Sequence, residues 1–117
     1  MMVGAVIEDL MFFSRIEAAV AAAGGRLVRV SEPASLPEDL DVVLVDWSSR
    51  GDGWADALRS RTAGRVILFG QHTDLGAHAA ARESGLGPML ARSALLGRLP
   101  RLFVSDEDGE TPPVGRA

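Results

Sequence analysis

Two short apolar segments that end in acidic residues constrain the fold of this chain most strongly. Residues 2–7 are followed by Glu8 and Asp9, and residues 41–46 end in Asp46. Runs of this length, rich in Val and Ile, are typical of strands buried on both faces of a parallel sheet. If the two strands are neighbours, their carboxyl ends lie at one sheet edge, where α/β proteins bind ligands. We therefore expect the three carboxylates to converge on one site that takes up protons or holds a hard cation such as Mg²⁺.

The whole chain alternates between strand patterns and helix patterns. Helical spacing of apolar residues, with caps or glycines at the ends, marks four segments. The helices are predicted over residues 9–23, 54–61, 74–83 and from Ser93 onward. The strands are predicted over residues 3–7, 27–30, 41–46, 65–70 and 88–91.

Prolines limit where further helix can form. Pro33 and Pro37 exclude a full helix over residues 31–39, so a loop or a single turn is expected there. Pro100 should bend or restart the last helix, because it removes the hydrogen bond to Leu96. The helix between the second and third strands is therefore predicted to be reduced.

This order of elements predicts an α/β fold. Five strands alternating with helices give a parallel sheet with right-handed crossovers. The flavodoxin-like strand order 2-1-3-4-5 would place the first and third strands side by side. We expect a three-layer sandwich with a reduced second helix, formed by residues 1–104 as one domain. Residues 105–117 are acidic and rich in proline, which predicts a disordered tail.

Composition excludes several classes of function. The net charge of −4 and the lack of a basic cluster argue against nucleic acid and anionic membranes as partners. The chain has no cysteine, which excludes disulfides, thiolate metal sites and cysteine nucleophiles and is compatible with a reducing cytosol. No apolar segment reaches the roughly 18–20 residues that span a bilayer. We expect a cytoplasmic protein.

Four positions and one loop together match a known family. The acid pair Glu8 and Asp9 follows the first strand, Asp46 ends the third strand, and Arg92 follows the fifth. Residues 46–53 read Asp-Trp-Ser-Ser-Arg-Gly-Asp-Gly and are similar to that family's phosphoacceptor loop, including its later Asp-Gly. On these features residues 3–104 resemble the receiver domain of two-component response regulators, the CheY-like family.

The resemblance implies a role for each of these residues. Asp46 would be the phosphoacceptor that takes a phosphoryl group from a histidine kinase, and Arg92 would stand where the family has a lysine. Mg²⁺ would be held by Asp9, Asp46 and the backbone carbonyl of Ser48, with Glu8 acting through water. The resemblance implies a signalling domain rather than an enzyme, with at most Mg²⁺-dependent self-phosphorylation at Asp46. Its output would pass through another signalling protein, and a homodimer is left open.

The chain also departs from the family at the positions that switch its conformation. Gly70 falls where the family has a Ser or Thr, so the hydroxyl at the end of the fourth strand is missing. Met89 falls on the switching aromatic residue, and Ser93 replaces the proline after the basic position. Arg92 differs from lysine because a planar guanidinium can form two bonds to a carboxylate. The sequence therefore predicts an atypical receiver.

Two functions follow from these features and stay open at this stage. The first is phosphotransfer signalling through Asp46. The second is a pseudo-receiver, a protein-interaction module that is not phosphorylated, in which Arg92 pairs permanently with Asp46. A flavin- or nucleotide-binding enzyme is disfavoured, because the acids of residues 8–11 would repel a phosphate at the helix N-terminus.

Overall fold

The computed structural model describes residues 1–62 and 64–108, with the side chains of the last helix described up to Leu102. In this part of the chain, five strands alternate with four α-helices. The strands are β1 (Met2–Val6), β2 (Arg26–Val30), β3 (Val42–Asp46), β4 (Arg65–Gly70) and β5 (Met89–Ala91). The helices are α1 (Leu10–Ala22), α2 (Trp54–Arg61), α3 (Leu75–Ser84) and α4 (Arg92–Asp108). Two short 3-10 turns, at Pro33–Ser35 and Trp47–Ser49, follow β2 and β3.

The strands form one parallel sheet in the order β2-β1-β3-β4-β5, which confirms the predicted flavodoxin-like α/β fold. β1 and β3 are hydrogen-bonded neighbours, with Val6 beside Val45. β3 pairs with β4 so that Asp46 lies beside Phe69. The residues that follow β1, β3 and β4 therefore meet at one edge of the sheet, which we call the carboxyl edge.

Helices cover both faces of the sheet, so the fold has three layers. Alternate residues of β3 point into two separate cores, as expected for a strand that is buried on both faces. On one face, α1 and α4 bury Phe12, Ile16, Val20, Leu95 and Leu99. On the other face, α2, α3 and the segment after the first 3-10 turn bury Leu36, Leu40, Leu58, Ala77 and Ala81.

The second helix is reduced to the single turn Pro33–Ser35, as the two prolines predicted. Leu36 and Leu40 cover the sheet in place of a helix, and both are buried. They lie directly over Gly4 in β1, where an added Cβ would come within 2.6 Å of Leu40 Cδ1 and 3.0 Å of Leu36 Cδ2. The guanidinium of Arg61 in α2 donates to the Leu36 carbonyl and holds this segment in place. Gly4 therefore makes room for the compact connection.

Replacing Gly4 by Val should destabilise the domain. The new side chain would displace Leu36 and Leu40, and overpacking of a core costs about 1–3 kcal/mol. Urea unfolding, followed by tryptophan fluorescence, measures the change. Gly97→Ala is the matched control, because an added Cβ on that helical glycine meets nothing within 4 Å and should be neutral or stabilising. A Gly4→Val variant as stable as the wild type would contradict this packing.

The last helix begins before its predicted cap, and of the two predicted effects of Pro100 it shows no restart, while a bend stays a prediction. α4 begins at Arg92, directly after β5, so Ser93 lies inside the helix and does not cap it. α4 also continues through Pro100 to Asp108, so the proline does not restart it. The burial of Leu95 and Leu99 against the sheet outweighs these local preferences. Residues 109–117 of the predicted tail lie outside the described residues, and the boundary at residue 104 stays a prediction.

Candidate functional site

Asp46 is the buried acid at the carboxyl edge. It ends β3 and is 3% exposed, in a sheet whose other buried side chains are apolar. Its Oδ2 accepts a hydrogen bond of 3.1 Å from the Ser49 hydroxyl. Its Oδ1 is buried and has no hydrogen-bond partner among the described residues. Burial raises the pKa of Asp46 above its ordinary value, while the Ser49 hydroxyl and the Arg92 guanidinium act in the opposite direction.

Asp9 is the second acid of the site and also the N-cap of α1. Its Oδ1 accepts hydrogen bonds of 3.1 Å from the backbone N–H groups of Met11 and Phe12. This is the arrangement that capping aspartates use to satisfy free N–H groups at the start of a helix. The N–H of Phe12 is the largest cause that holds the pKa of Asp9 below its ordinary value, and Arg92 adds to it. The carboxylate is therefore fixed in position by the helix itself.

Arg92 joins the two acids. Its Nη1 lies 3.1 Å from Oδ2 of Asp9, and its Nη2 lies 3.7 Å from Oδ2 of Asp46. The guanidinium carbon is 5.0 Å from the ring centroid of Phe12, which adds a cation–π contact below the ion pairs. We call these contacts the arginine bridge. One planar cation thus offsets part of the charge of two acids that would otherwise repel.

The Mg²⁺ site that the family resemblance implies stays a prediction, and Arg92 competes with it for the two aspartates. In the described part of the chain, no three His, Cys, Asp or Glu side chains are grouped closely enough to hold a metal ion. Glu8 is exposed. The oxygens of Asp9 already accept from two N–H groups and from Arg92. A divalent ion between the two aspartates would have to displace the guanidinium.

A serine of the β3–α2 connection fills the space beside Gly70. A Cβ on Gly70 would overlap Oγ of Ser48 and would come within 2.8 Å of Sδ of Met89. The Ser48 hydroxyl accepts a hydrogen bond of 3.0 Å from the backbone N–H of Gln71, at the end of β4. Gly70 is therefore required for the close approach of Ser48 and not for an unusual backbone angle, since its φ is not positive.

The structure brings together most of the predicted site and adds residues that the sequence pattern did not identify. Asp9, Asp46 and Arg92 meet as expected, whereas Glu8 lies outside the contact. The prediction paired Arg92 with Asp46 alone, but its shorter contact is to Asp9. The side-chain roles of Ser49, Phe12 and the Ser48 hydroxyl were missed. Ser49 was recognisable in principle, because a residue three positions after Asp46 can reach back across a single turn.

The comparisons with known proteins identify the fold. No family model matches the sequence, and no curated protein matches it. A response regulator protein from Burkholderia multivorans superposes with a TM-score of 0.67 at 19% identity, over 97% of each chain. The receiver domain of a Francisella response regulator has a TM-score of 0.63 at 13% identity and covers 90% of this chain and 98% of its own. This chain therefore has the receiver-domain fold.

A third similar structure belongs to a protein that is named for pilus assembly and not as a response regulator. The CpaE2 pilus assembly protein from Sinorhizobium meliloti has a TM-score of 0.55 at 14% identity, over 86% of this chain and 98% of its own. The fold alone does not decide the function, which depends on the residues of the site. Among the described residues, no helix has both the length and the apolar character needed to cross a bilayer.

Proposed function

We propose that this chain is a receiver-type signalling module that acts through protein contacts and whose acid pocket is neutralised by Arg92 instead of a bound Mg²⁺. The arginine bridge is the observation that carries this proposal. A guanidinium in contact with Asp9 and Asp46 supplies the positive charge that clustered carboxylates need. The module then corresponds to the pseudo-receiver, an interaction domain in two-component-type signalling.

The burial of Asp46 supports the same proposal. A phosphoacceptor has to present an oxygen to the phosphorus atom of its donor. Oδ1 of Asp46 is buried, and Oδ2 faces Ser49 and Arg92. Gly70 and Met89 also lack the hydroxyl and the aromatic ring through which a phosphorylated receiver would be expected to change shape. A phosphoryl group on Asp46 would therefore lack these two contacts for shifting a conformational equilibrium.

Acetyl phosphate tests this proposal directly. The wild-type domain is incubated with acetyl phosphate and Mg²⁺, and its intact mass is measured beside that of Asp46→Asn. We expect no gain of a phosphoryl group in either protein, because the acceptor oxygens are buried or engaged. A gain in the wild type that Asp46→Asn abolishes would overturn the proposal and support phosphotransfer.

Phosphotransfer at Asp46 is the second candidate, and one observation favours it. Oδ1 of Asp46 has no hydrogen-bond partner among the described residues, so it keeps a lone pair for bond formation. In that reaction Oδ1 would form a bond to phosphorus while the phosphorus–nitrogen bond of a phosphohistidine breaks and the imidazole takes up a proton. Arg92 would offset charge on the transferred group. The reaction requires the pocket to open first, since the oxygen is not exposed.

The partner in either case is a protein. A histidine kinase fits phosphotransfer, and any signalling protein that recognises the domain surface fits the pseudo-receiver. Loss of partner binding on Asp46→Asn would argue for phosphotransfer, whereas unchanged binding is expected from a module that ignores phosphate.

A further inference from the structure

The loop that carries the acid is tied to the neighbouring strand by Ser48. Residues Trp47–Ser49 form a 3-10 turn directly after Asp46. The Ser48 hydroxyl accepts from the N–H of Gln71, so the bond crosses from the end of β3 to the end of β4. Ser49, the next residue of the same turn, donates through its hydroxyl to Oδ2 of Asp46. The turn that holds the buried acid is thus joined to the β4–α3 connection through Ser48.

The Ser48 hydroxyl occupies the space that a side chain on residue 70 would fill. A Cβ on Gly70 would overlap the Ser48 hydroxyl, so the two positions cannot both carry side chains in this arrangement. Gly70 is one residue before Gln71, whose N–H the hydroxyl binds. The β3–β4 register explains why Ser48 and Gln71 are close, because Asp46 lies beside Phe69 and each of them is two residues earlier in the chain.

We propose that Ser48 is the positioning residue that couples Asp46 to the β4–α3 connection, residues 71–74, in place of a side chain on residue 70. This goes beyond the function proposed above and holds whether or not Asp46 accepts a phosphoryl group. A change at Asp46 moves the Ser48 backbone, and the Ser48 hydroxyl carries that movement to Gln71.

The connection that Ser48 reaches borders a groove on the surface. It leads into α3, whose N-cap is Asp74. It also lines a groove of about 290 Å³ together with Arg92 and Ser93 at the start of α4. Leu75, the first residue of α3, is 75% exposed. A displacement of Gln71 would therefore change the shape of this groove.

Two adjacent serines allow a matched test. Ser48 and Ser49 lie in the same turn, but the Ser49 hydroxyl donates to Asp46, whereas the Ser48 hydroxyl accepts from the N–H of Gln71. Backbone amide chemical shifts are measured by NMR in three pairs of proteins, each with Asp46 and with Asp46→Asn. The pairs are built on the wild type, on Ser48→Ala and on Ser49→Ala.

In the wild type, Asp46→Asn should shift the amides of residues 71–74. In the Ser48→Ala background we expect these shifts to fall to less than half, whereas the Ser49→Ala background should keep them. Ser48→Cys, which preserves the size of the side chain but is a weak acceptor, should reduce them as well and covers the case in which Ser48→Ala does not fold. Undiminished shifts in folded Ser48→Ala or Ser48→Cys would overturn the proposal.

Moving the hydroxyl from residue 48 to residue 70, at the end of β4, gives an independent check of the proposal. Gly70→Ser should lower the melting temperature of the wild type, because its Cβ overlaps Ser48. In the Ser48→Gly background the same substitution should be less harmful, because only the contact with Sδ of Met89 remains and that side chain is flexible. It should also restore part of the Asp46→Asn response at residues 71–74. A Gly70→Ser substitution that is as harmful in Ser48→Gly as in the wild type would show that residues 48 and 70 do not share one space, and the proposal would fail.

Discussion

Replacing Arg92 by Ala should lower the free energy of unfolding by about 2–3 kcal/mol and should make the stability of the domain sensitive to Mg²⁺. Removing one partner of a fully buried ion pair costs roughly 3–5 kcal/mol, because the other charge stays buried without compensation. Here the remaining charge is Asp46, whose side chain is 4% exposed. The cost is below the range for buried pairs because 31% of the Arg92 side chain is in contact with water.

The response to Mg²⁺ has the same cause, which is the loss of the guanidinium that contacts Asp9 and Asp46. Without the guanidinium, Asp9 and Asp46 have no cation between them, so millimolar Mg²⁺ should raise the melting temperature of Arg92→Ala and leave the wild type unchanged. Arg15→Ala is the matched control, because Arg15 lines the same cavity as Asp9 and Arg92 but takes no part in the arginine bridge. Equal behaviour of Arg92→Ala and Arg15→Ala would contradict a bridging role for Arg92.

Replacing Asp46 by Asn should stabilise the domain at neutral pH by about 1 kcal/mol, which is roughly 4 °C or more in melting temperature for a domain of this size. Burial raises the pKa of Asp46 above its ordinary value of 3.8, so the folded state disfavours the carboxylate. A neutral amide of similar shape avoids that cost and can still accept from Ser49.

The pH dependence provides the internal control for this substitution. A carboxyl group whose pKa is raised on folding contributes stability at pH values below its ordinary pKa, and that contribution is lost as the pH rises through the raised value. The difference between Asp46→Asn and the wild type should therefore be largest at neutral pH and should shrink below pH 3.8, where both side chains are neutral. Urea unfolding at several pH values measures it. A destabilised Asp46→Asn at neutral pH would show that the carboxylate is favoured by the fold.

The two substitutions should also be coupled. If the cost of Arg92→Ala comes mainly from leaving Asp46 charged and uncompensated, then Asp46→Asn should remove most of that cost. The double variant is then more stable than Arg92→Ala alone, with a coupling energy of about 1–3 kcal/mol in the double-mutant cycle. Additive effects would indicate that Arg92 stabilises the fold mainly through Asp9 and Phe12.

Much of the fold could be predicted because its signals are local. The short runs that became β1 and β3 are apolar up to the acids that end or follow them, which indicates burial on both faces and hence a parallel sheet covered by helices. The prolines at residues 33 and 37 predicted the reduced second helix. Asp9 and Asp46 could be placed at one edge because parallel strands align their carboxyl ends. The error at Ser93 arose because burial of the helix outweighs a capping preference.

The details of the site could not be predicted because they depend on contacts across the sheet. Glu8 and Asp9 are adjacent in the sequence, but only Asp9 caps α1 and is held toward Arg92, which leaves Glu8 in solvent. The shorter contact from Arg92 to Asp9 depends on the position of α1 over the sheet. The Ser48 hydroxyl meets Gln71 because of the β3–β4 register and because Gly70 leaves room, and neither is visible in the local pattern.

Titration of Mg²⁺ into the wild-type domain at neutral pH, followed by calorimetry, tests most directly whether Arg92 takes the place of a metal ion. The arginine bridge predicts no saturable binding at millimolar Mg²⁺ in the wild type, because the guanidinium already lies against both carboxylates. It predicts that binding appears in Arg92→Ala and is lost again in Arg92→Ala combined with Asp46→Asn. Saturable binding to the wild type that Asp9→Asn or Asp46→Asn abolishes would contradict the account.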